Sequence, residues 1–369
     1  MTTVLVVGAT GEMGQRVCRL LRRWTPGVRV IGANRSGRGH PEFPVRRVDV
    51  HHESTLAPAL GDVALVVNAV GPYLYDPGPL LRACVKARVH YTDLADDLAY
   101  LAAVAEAAHG VGAAAAGVAV IPGCSTVPGF VALLAGRWAA LADVAAVSAL
   151  LSMGTANPPS RGLVAGLLAP LGRPAPTGGR WFTKLVHAEI SDGRRLAYGA
   201  WPAPFPSAGV PIGSRRVPIR FYVGFDRLWV TAGLRLAAPI VGRVPPHRIP
   251  TLASVALPFV RAATWLGTPF GVMLVRAEDR AGAELDRVEV HARSNGLDVP
   301  AAPVVWVVQR LLGGDLGAGG LHGLEEVVAP AAARTWLREA GYELREGRPG
   351  SASAPEQSAG GRPRADRLL

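Results

Sequence analysis

The stretch VLVVGATGEMGQRVCRLL, Val4–Leu21, constrains this chain more than any other. Its opening apolar run has the length of a buried parallel strand, and its close has the spacing of a helix. Between them lie glycines at i, i+3 and i+6: Gly8, Gly11 and Gly14. Gly8 allows a sharp turn off the strand, Gly11 lets backbone N–H groups approach a pyrophosphate, and Gly14 lets the helix pack tightly on the sheet. The helix N-terminus adds partial positive charge. With a strand before and a helix after, Gly8, Ala9, Thr10, Gly11, Glu12, Met13 and Gly14 are the expected diphosphate contacts of a dinucleotide site.

Strand signals continue at about Val28–Ala33, Val45–Asp49, Val63–Ala69, His90–Leu94 and Val118–Pro122. Helical stretches alternate with them at Glu12–Arg23, Ser54–Leu60, Pro79–Ala87 and Leu98–Ala113. This predicts an α/β fold with a Rossmann-type doubly wound parallel sheet over residues 1–143. Strand-like runs (AVSALLSMG, IRFYVGF, RLWVTAGLRLA, RVEVHARSN) then follow with few helices between, predicting a second α+β domain of mixed sheet over 144–302. Residues 303–346 are expected to supply C-terminal helices, and 347–369, rich in Gly, Ser, Pro and Arg, to form a disordered tail.

The end of strand two selects the dinucleotide. An acidic residue there would accept from a ribose 2′-OH, yet IGANRSGRG offers Asn34, Arg35, Ser36 and Arg38 and no Asp or Glu before Glu42. The planar fork of arginine engages two phosphate oxygens at once, so the expected cofactor is NADP. Asp49 and Val50 end strand three on the adenine side, where Asp49 either accepts from the adenine amino group or caps the next helix. At the exit of strand four, Asn68, Ala69, Val70 and Gly71 permit close approach of the ribose–nicotinamide half.

Composition narrows the remaining classes. The formal net charge is +11, but the arginines are scattered and Lys86 and Lys184 are the sole lysines, so no basic face for nucleic acid is expected. Two lysines also make short-chain dehydrogenase catalysis easy to exclude: it needs Tyr four residues before Lys, and Arg82 and Arg180 stand there. Cys18, Cys84 and Cys124 form neither a disulfide framework nor a metal pattern, and no signal sequence opens the chain, so a reducing cytoplasm is expected and no metal. The apolar stretch 251–275 carries Arg261 near its middle and prolines at 258 and 269. It is expected to form buried helices or the face of a homodimer, with peripheral membrane contact as the alternative.

Four stretches resemble the saccharopine dehydrogenase-like oxidoreductases: GATGEMG at the start, VVNAVGPY before Leu80–Ala87, HYTDL at His90–Leu94, and VIPGCSTVPGF at Val120–Phe130. The late GLHGLEEVVAPAAARTWLREAGY is similar to that family's closing helix, which implies that the helices of 303–346 return to the Rossmann domain. The resemblance implies a Rossmann domain that binds NADP and a mixed domain closing over a small-molecule substrate. It also implies cofactor roles for Gly8, Gly11, Gly14, Asn34, Arg35, Asn68, Ala69 and Gly71. The expected activity is hydride transfer to or from a C=N, C=O or C=C bond, and the alternative is a noncatalytic NADP-binding protein. Tyr73, just beyond Gly71-Pro72, and Asp93, at the end of strand five, are the candidates for managing the proton.

Overall fold

The computed structural model describes residues 1–348 apart from Thr177, Pro206, Ser207, Ala208 and Asp315; the expected tail lies, from residue 349, outside the described residues. The first half of the chain runs β1 (Thr2–Val7), α1 (Glu12–Trp24), β2 (Val28–Asn34), β3 (Val45–Arg47), α2 (Glu53–Leu56), β4 (Leu65–Asn68), α3 (Gly78–Ala87), β5 (His90–Asp93), α4 (Leu98–Gly110), β6 (Ala119–Ile121) and α5 (Val131–Ala135). There follow β7 (Ala146–Met153), α6 (Arg161–Leu168), β8 (Leu185–Glu189), β9 (Arg195–Trp201), β10 (Val210–Ile212), β11 (Arg215–Val217), β12 (Ile219–Phe225), α7 (Leu228–Val241) and α8 (Ile249–Ala263). The last elements are β13 (Gly271–Glu278), β14 (Glu284–Ala292), α9 (Ala302–Leu312), β15 (Gly320–Leu321), α10 (Leu324–Val327), α11 (Pro330–Glu339) and β16 (Glu343–Gly347).

The first sheet has the order β15-β6-β5-β4-β1-β2-β3 and is parallel throughout. Its central strand shows why. In β1 the alternate residues Val4 and Val6 join a core with Val17, Cys18 and Leu21 of α1, while Leu5 and Val7 join another with Leu80, Leu81 and Val104 of α3 and α4. A strand apolar at every position must be covered on both faces, and each such side chain contributes about 1.5–3 kcal/mol of burial. The order reverses at β1, so ligands belong in the crevice between the carboxyl ends of β1 and β4.

The second sheet, β16-β14-β13-β7-β12-β9-β8, is mixed: β7 and β12 run parallel, and the other pairs antiparallel. The Rossmann-type sheet with a second mixed domain is therefore the expected fold. The two halves are tied together by Arg16 of α1 with Asp298, 2.8 Å apart, and by the Trp24–Trp336 ring contact at 5.3 Å. The late segment serves both sheets, because β15 pairs with β6 and β16 with β14.

Two expectations are corrected. RLWVTAGLRLA is the helix α7: its inward positions Thr231, Leu234, Ala238 and Val241 are three and four residues apart, the helical spacing. The stretch 251–275 is not a buried helical segment. Its end, Gly271–Val275, starts the buried strand β13, whereas α8 buries only Ile249 and Ala253 and leaves Phe259 75% exposed, with Trp265 in the turn after it 90% exposed.

Candidate functional site

At the carboxyl edge of the first sheet, the exits of β1, β2 and β4 and the turn after β3 enclose a cleft of about 350 Å³. Its floor is Val7, Gly8, Thr10 and Gly11, one wall Asn34 and Arg35, another Val48, Val50 and His51, and the far side Ala69 to Pro72 with Tyr75. The floor is shaped by two glycines. Gly8 has φ +81°, and a Cβ there would stand 2.8 Å from the Ala69 carbonyl oxygen. At Gly14 a Cβ would meet the Gly8 carbonyl oxygen at 2.1 Å, so only glycine lets α1 start this close to the turn. Gly11 is the N-cap of α1 and brings no side-chain acceptor, which leaves the first-turn N–H groups available to an anion.

The guanidinium of Arg35 stands on the rim, exposed. Among the described residues neither Arg35 nor Arg38 enters an ion pair. Asn34 is braced by donating from Nδ2 to the Arg38 carbonyl (3.0 Å) and accepting at Oδ1 from the Ser36 hydroxyl (3.1 Å). Val48, Val50, His51 and Tyr75 make a flat, largely apolar wall, with the His51 and Tyr75 rings edge to face at 5.4 Å. Glycine floor, uncapped helix, arginine rim and aromatic wall together fit a dinucleotide with a phosphorylated adenosine ribose. The wall residues His51 and Tyr75 escaped sequence reasoning; the one available signal was the second tyrosine in PYLYD.

Several side chains expected at the cleft do other work, while the backbone N–H groups of Glu12 and Met13 stay in the open first turn of α1. Ala9 is fully buried beneath the turn, and Met13 packs on the core. Glu12 is held by Arg16 at 2.8 Å. The Asp49 carboxylate accepts from the His51 backbone N–H at 3.1 Å and lies 3.2 Å from the His52 ring, so it builds a turn instead of receiving an adenine. Ser36 contributes through Asn34. Asn68 is fully buried: its Nδ2 lies 2.9–3.1 Å from the hydroxyls of Tyr75, Tyr91 and Tyr100, and the Tyr75 hydroxyl donates back to its Oδ1 at 3.1 Å. It positions the cleft wall from behind.

Neither proton-handling candidate lines the cleft. The Tyr73 hydroxyl donates to the Asn68 carbonyl at 3.1 Å, and burial pushes its phenol well above the ordinary value. Asp93 is fully buried, accepting from the N–H groups of Gly123 (2.8 Å) and Ala95 (3.0 Å) and from the Tyr91 hydroxyl (2.9 Å). It is a strut that fastens β5 to the loop after β6, because that loop turns its amides back toward the strand end. Cys124, beside it, is buried with its thiol donating to the Ile121 carbonyl at 3.4 Å.

Asp93 yields a stability prediction. Burial raises its carboxyl to about 6, against three hydrogen bonds that favour the charged form. An unfolded aspartate titrates near about 3.9, so between roughly pH 4 and 6 the folded protein holds the extra proton. Stability from this group therefore falls as pH rises through that window. Asp93→Asn keeps an acceptor for both amides and is expected to flatten that decline at a cost within about 1 kcal/mol, whereas Asp93→Ala strands two buried N–H groups and costs about 2 kcal/mol. Urea denaturation at pH 4.5 and 7 checks both; the same pH slope in wild type and Asp93→Asn would contradict a titrating carboxyl.

Residues 4–121 match the family described as Saccharopine dehydrogenase NADP binding domain. NADP is thus the cofactor of this domain. Along the whole fold the chain is similar to apo histidine-tagged saccharopine dehydrogenase (L-Glu forming) from Saccharomyces cerevisiae, with 13% identity, 94% of this chain and 100% of that chain covered, and a TM-score of 0.59. Partial overlaps include UDP-N-acetylglucosamine 4-epimerase from Bacillus cereus (16% identity, 33% of this chain and 53% of that chain, TM-score 0.26). Another is the Citrobacter sp. triphenylmethane reductase complexed with NADP(H) (19% identity, 32% of this chain and 48% of that chain, TM-score 0.26). No curated protein matches the sequence.

Proposed function

We propose, from the premise that residues 4–121 are a saccharopine dehydrogenase NADP-binding domain, that this chain is an NADP-dependent oxidoreductase acting on a C=N, C=O or C=C bond of a small or lipid-like metabolite. The observation that carries the reading is the cleft itself: a glycine turn on an uncapped helix, with Arg35, which has no ion-pair partner among the described residues, at its rim. When bound, the nicotinamide supplies or accepts the hydride. The chain's own work there is to bind and orient. The first-turn N–H groups of α1, approached past the bare Gly11, hold the diphosphate, Arg35 and Asn34 the 2′-phosphate, and the Val48–His51 turn with Tyr75 the base. Ala69 and Gly71 leave room beside the β4 exit; a Cβ at Gly71 would meet nothing within 4 Å.

The inward-turned hydroxyl of Tyr73 and the spent carboxylate of Asp93 favour a second reading, a protein that binds NADP without turning it over. Stopped-flow absorbance at 340 nm with imines, ketones and enoyl thioesters separates the two. NADPH consumed with one class of acceptor is the expected result. NADPH bound but never oxidised across the panel would establish the second reading.

A further inference from the structure

We propose that the outer face of α7 and α8 lies on the surface of an anionic lipid bilayer. This rests on the second domain and is independent of the reading of the cofactor cleft. In α7 the outward positions Trp229, Leu236 and Ile240 fall at i, i+7 and i+11, one helical stripe, with Leu236 and Ile240 70% and 69% exposed. In α8 the outward stripe is Val255, Phe259 and Ala262, at i, i+4 and i+7, continued by the exposed Trp265 and Leu266. Its inner stripe, Ile249 and Ala253 with Leu252 and Ala256 beside them, is apolar as well and packs in the domain core. A helix with an apolar stripe on its outward as well as its inward face belongs either inside a protein or against lipid, and this one has protein on one side only. Residues 246–266 are long and apolar enough to cross a membrane, but the inner stripe binds the helix to its domain. Lying along the interface, with tryptophan and phenylalanine at headgroup depth, satisfies both faces.

Charge selects the occupant. From Arg227 to Phe270 the chain has five arginines and no acidic residue. Arg235, Arg243, Arg248 and Arg261 are exposed, and among the described residues none of them enters an ion pair. A second copy meeting this face across a two-fold axis would set arginines against arginines with no acid on the face to offset them. Anionic headgroups neutralise the same cations while the acyl boundary takes the aromatic rings.

The test is flotation of the full-length protein with large unilamellar vesicles, either pure phosphatidylcholine or phosphatidylcholine with one-third phosphatidylglycerol. The wild type is expected to float with the anionic vesicles and to be released as salt rises. Phe259→Asp/Trp265→Asp should lower partitioning about tenfold or more on both compositions. Arg243→Gln/Arg248→Gln/Arg261→Gln should weaken binding about fivefold per arginine on the anionic vesicles alone. NADPH binding unchanged in both variants shows that each is folded. Absence of flotation with either vesicle, or flotation that both variants retain, overturns the proposal. So does a solution dimer that Phe259→Asp/Trp265→Asp makes monomeric while vesicles leave the wild type behind, which assigns the face to a second copy.

Discussion

Replacing Arg35 by aspartate is expected to weaken NADPH binding about 100-fold while changing NADH binding less than about threefold. The asymmetry follows from what the residue faces. Its guanidinium stands at the mouth of the cleft, beside Asn34 and without an ion-pair partner among the described residues, so removing it strands no other charge. A bidentate arginine–phosphate contact is charge-assisted and worth about 1.5–3 kcal/mol. Aspartate removes that contact and sets a negative charge against a phosphate, while its carboxylate can accept from the 2′-OH of NADH. Isothermal titration of both coenzymes at one modest salt concentration measures the ratio. Parallel loss for the two would assign 2′-phosphate recognition to another residue, with Arg38 the nearest candidate.

A larger effect is expected from adding one methyl group at Gly14. In an exposed helix glycine to alanine stabilises by about 1 kcal/mol. Here the added Cβ would lie 2.1 Å from the Gly8 carbonyl oxygen and 2.7 Å from the Ala9 Cα, both backbone atoms that no side-chain rotation can move away. The helix must back off the turn, so Gly14→Ala is expected to cost about 3–4 kcal/mol of stability and to lower NADPH affinity more than tenfold. Gly11→Ala is the control, since its Cβ would meet only the Gly8 carbonyl oxygen at 3.3 Å and its φ of −77° suits any residue. That variant should lose less than about 1 kcal/mol yet still bind NADPH poorly, because the methyl group occupies the approach to the diphosphate. Thermal denaturation with and without NADPH distinguishes them. A fully stable Gly14→Ala would mean that α1 does not press on the turn as described.

The first strand, its glycine turn and the position of Arg35 were legible in the sequence because their arrangement is local: spacing alone brings a tight turn, a helix end and a guanidinium to one cleft. Asn68 was not. It sits at the strand exit where ligand-facing residues sit, but its partners Tyr75, Tyr91 and Tyr100 come from three later segments that turn it inward. Asp93 misled for the same reason, since the amides that claim it belong to residues 95 and 123. In RLWVTAGLRLA the apolar positions satisfy a strand and a helix equally, and packing on β9 and β12 decides for α7. For α8 the pattern gave the element and left its environment open: an apolar residue does not reveal whether anything covers it.

The placement of β15 bears on how the molecule is made. The first sheet lacks its seventh strand until residue 320 has been synthesised, long after the strands it joins. Throughout that interval β6 is an open rim on a nascent chain, and everything between β6 and β15 must emerge before the rim is sealed. Translation speed through this middle portion therefore sets how long the unfinished barrier stands bare to other nascent chains.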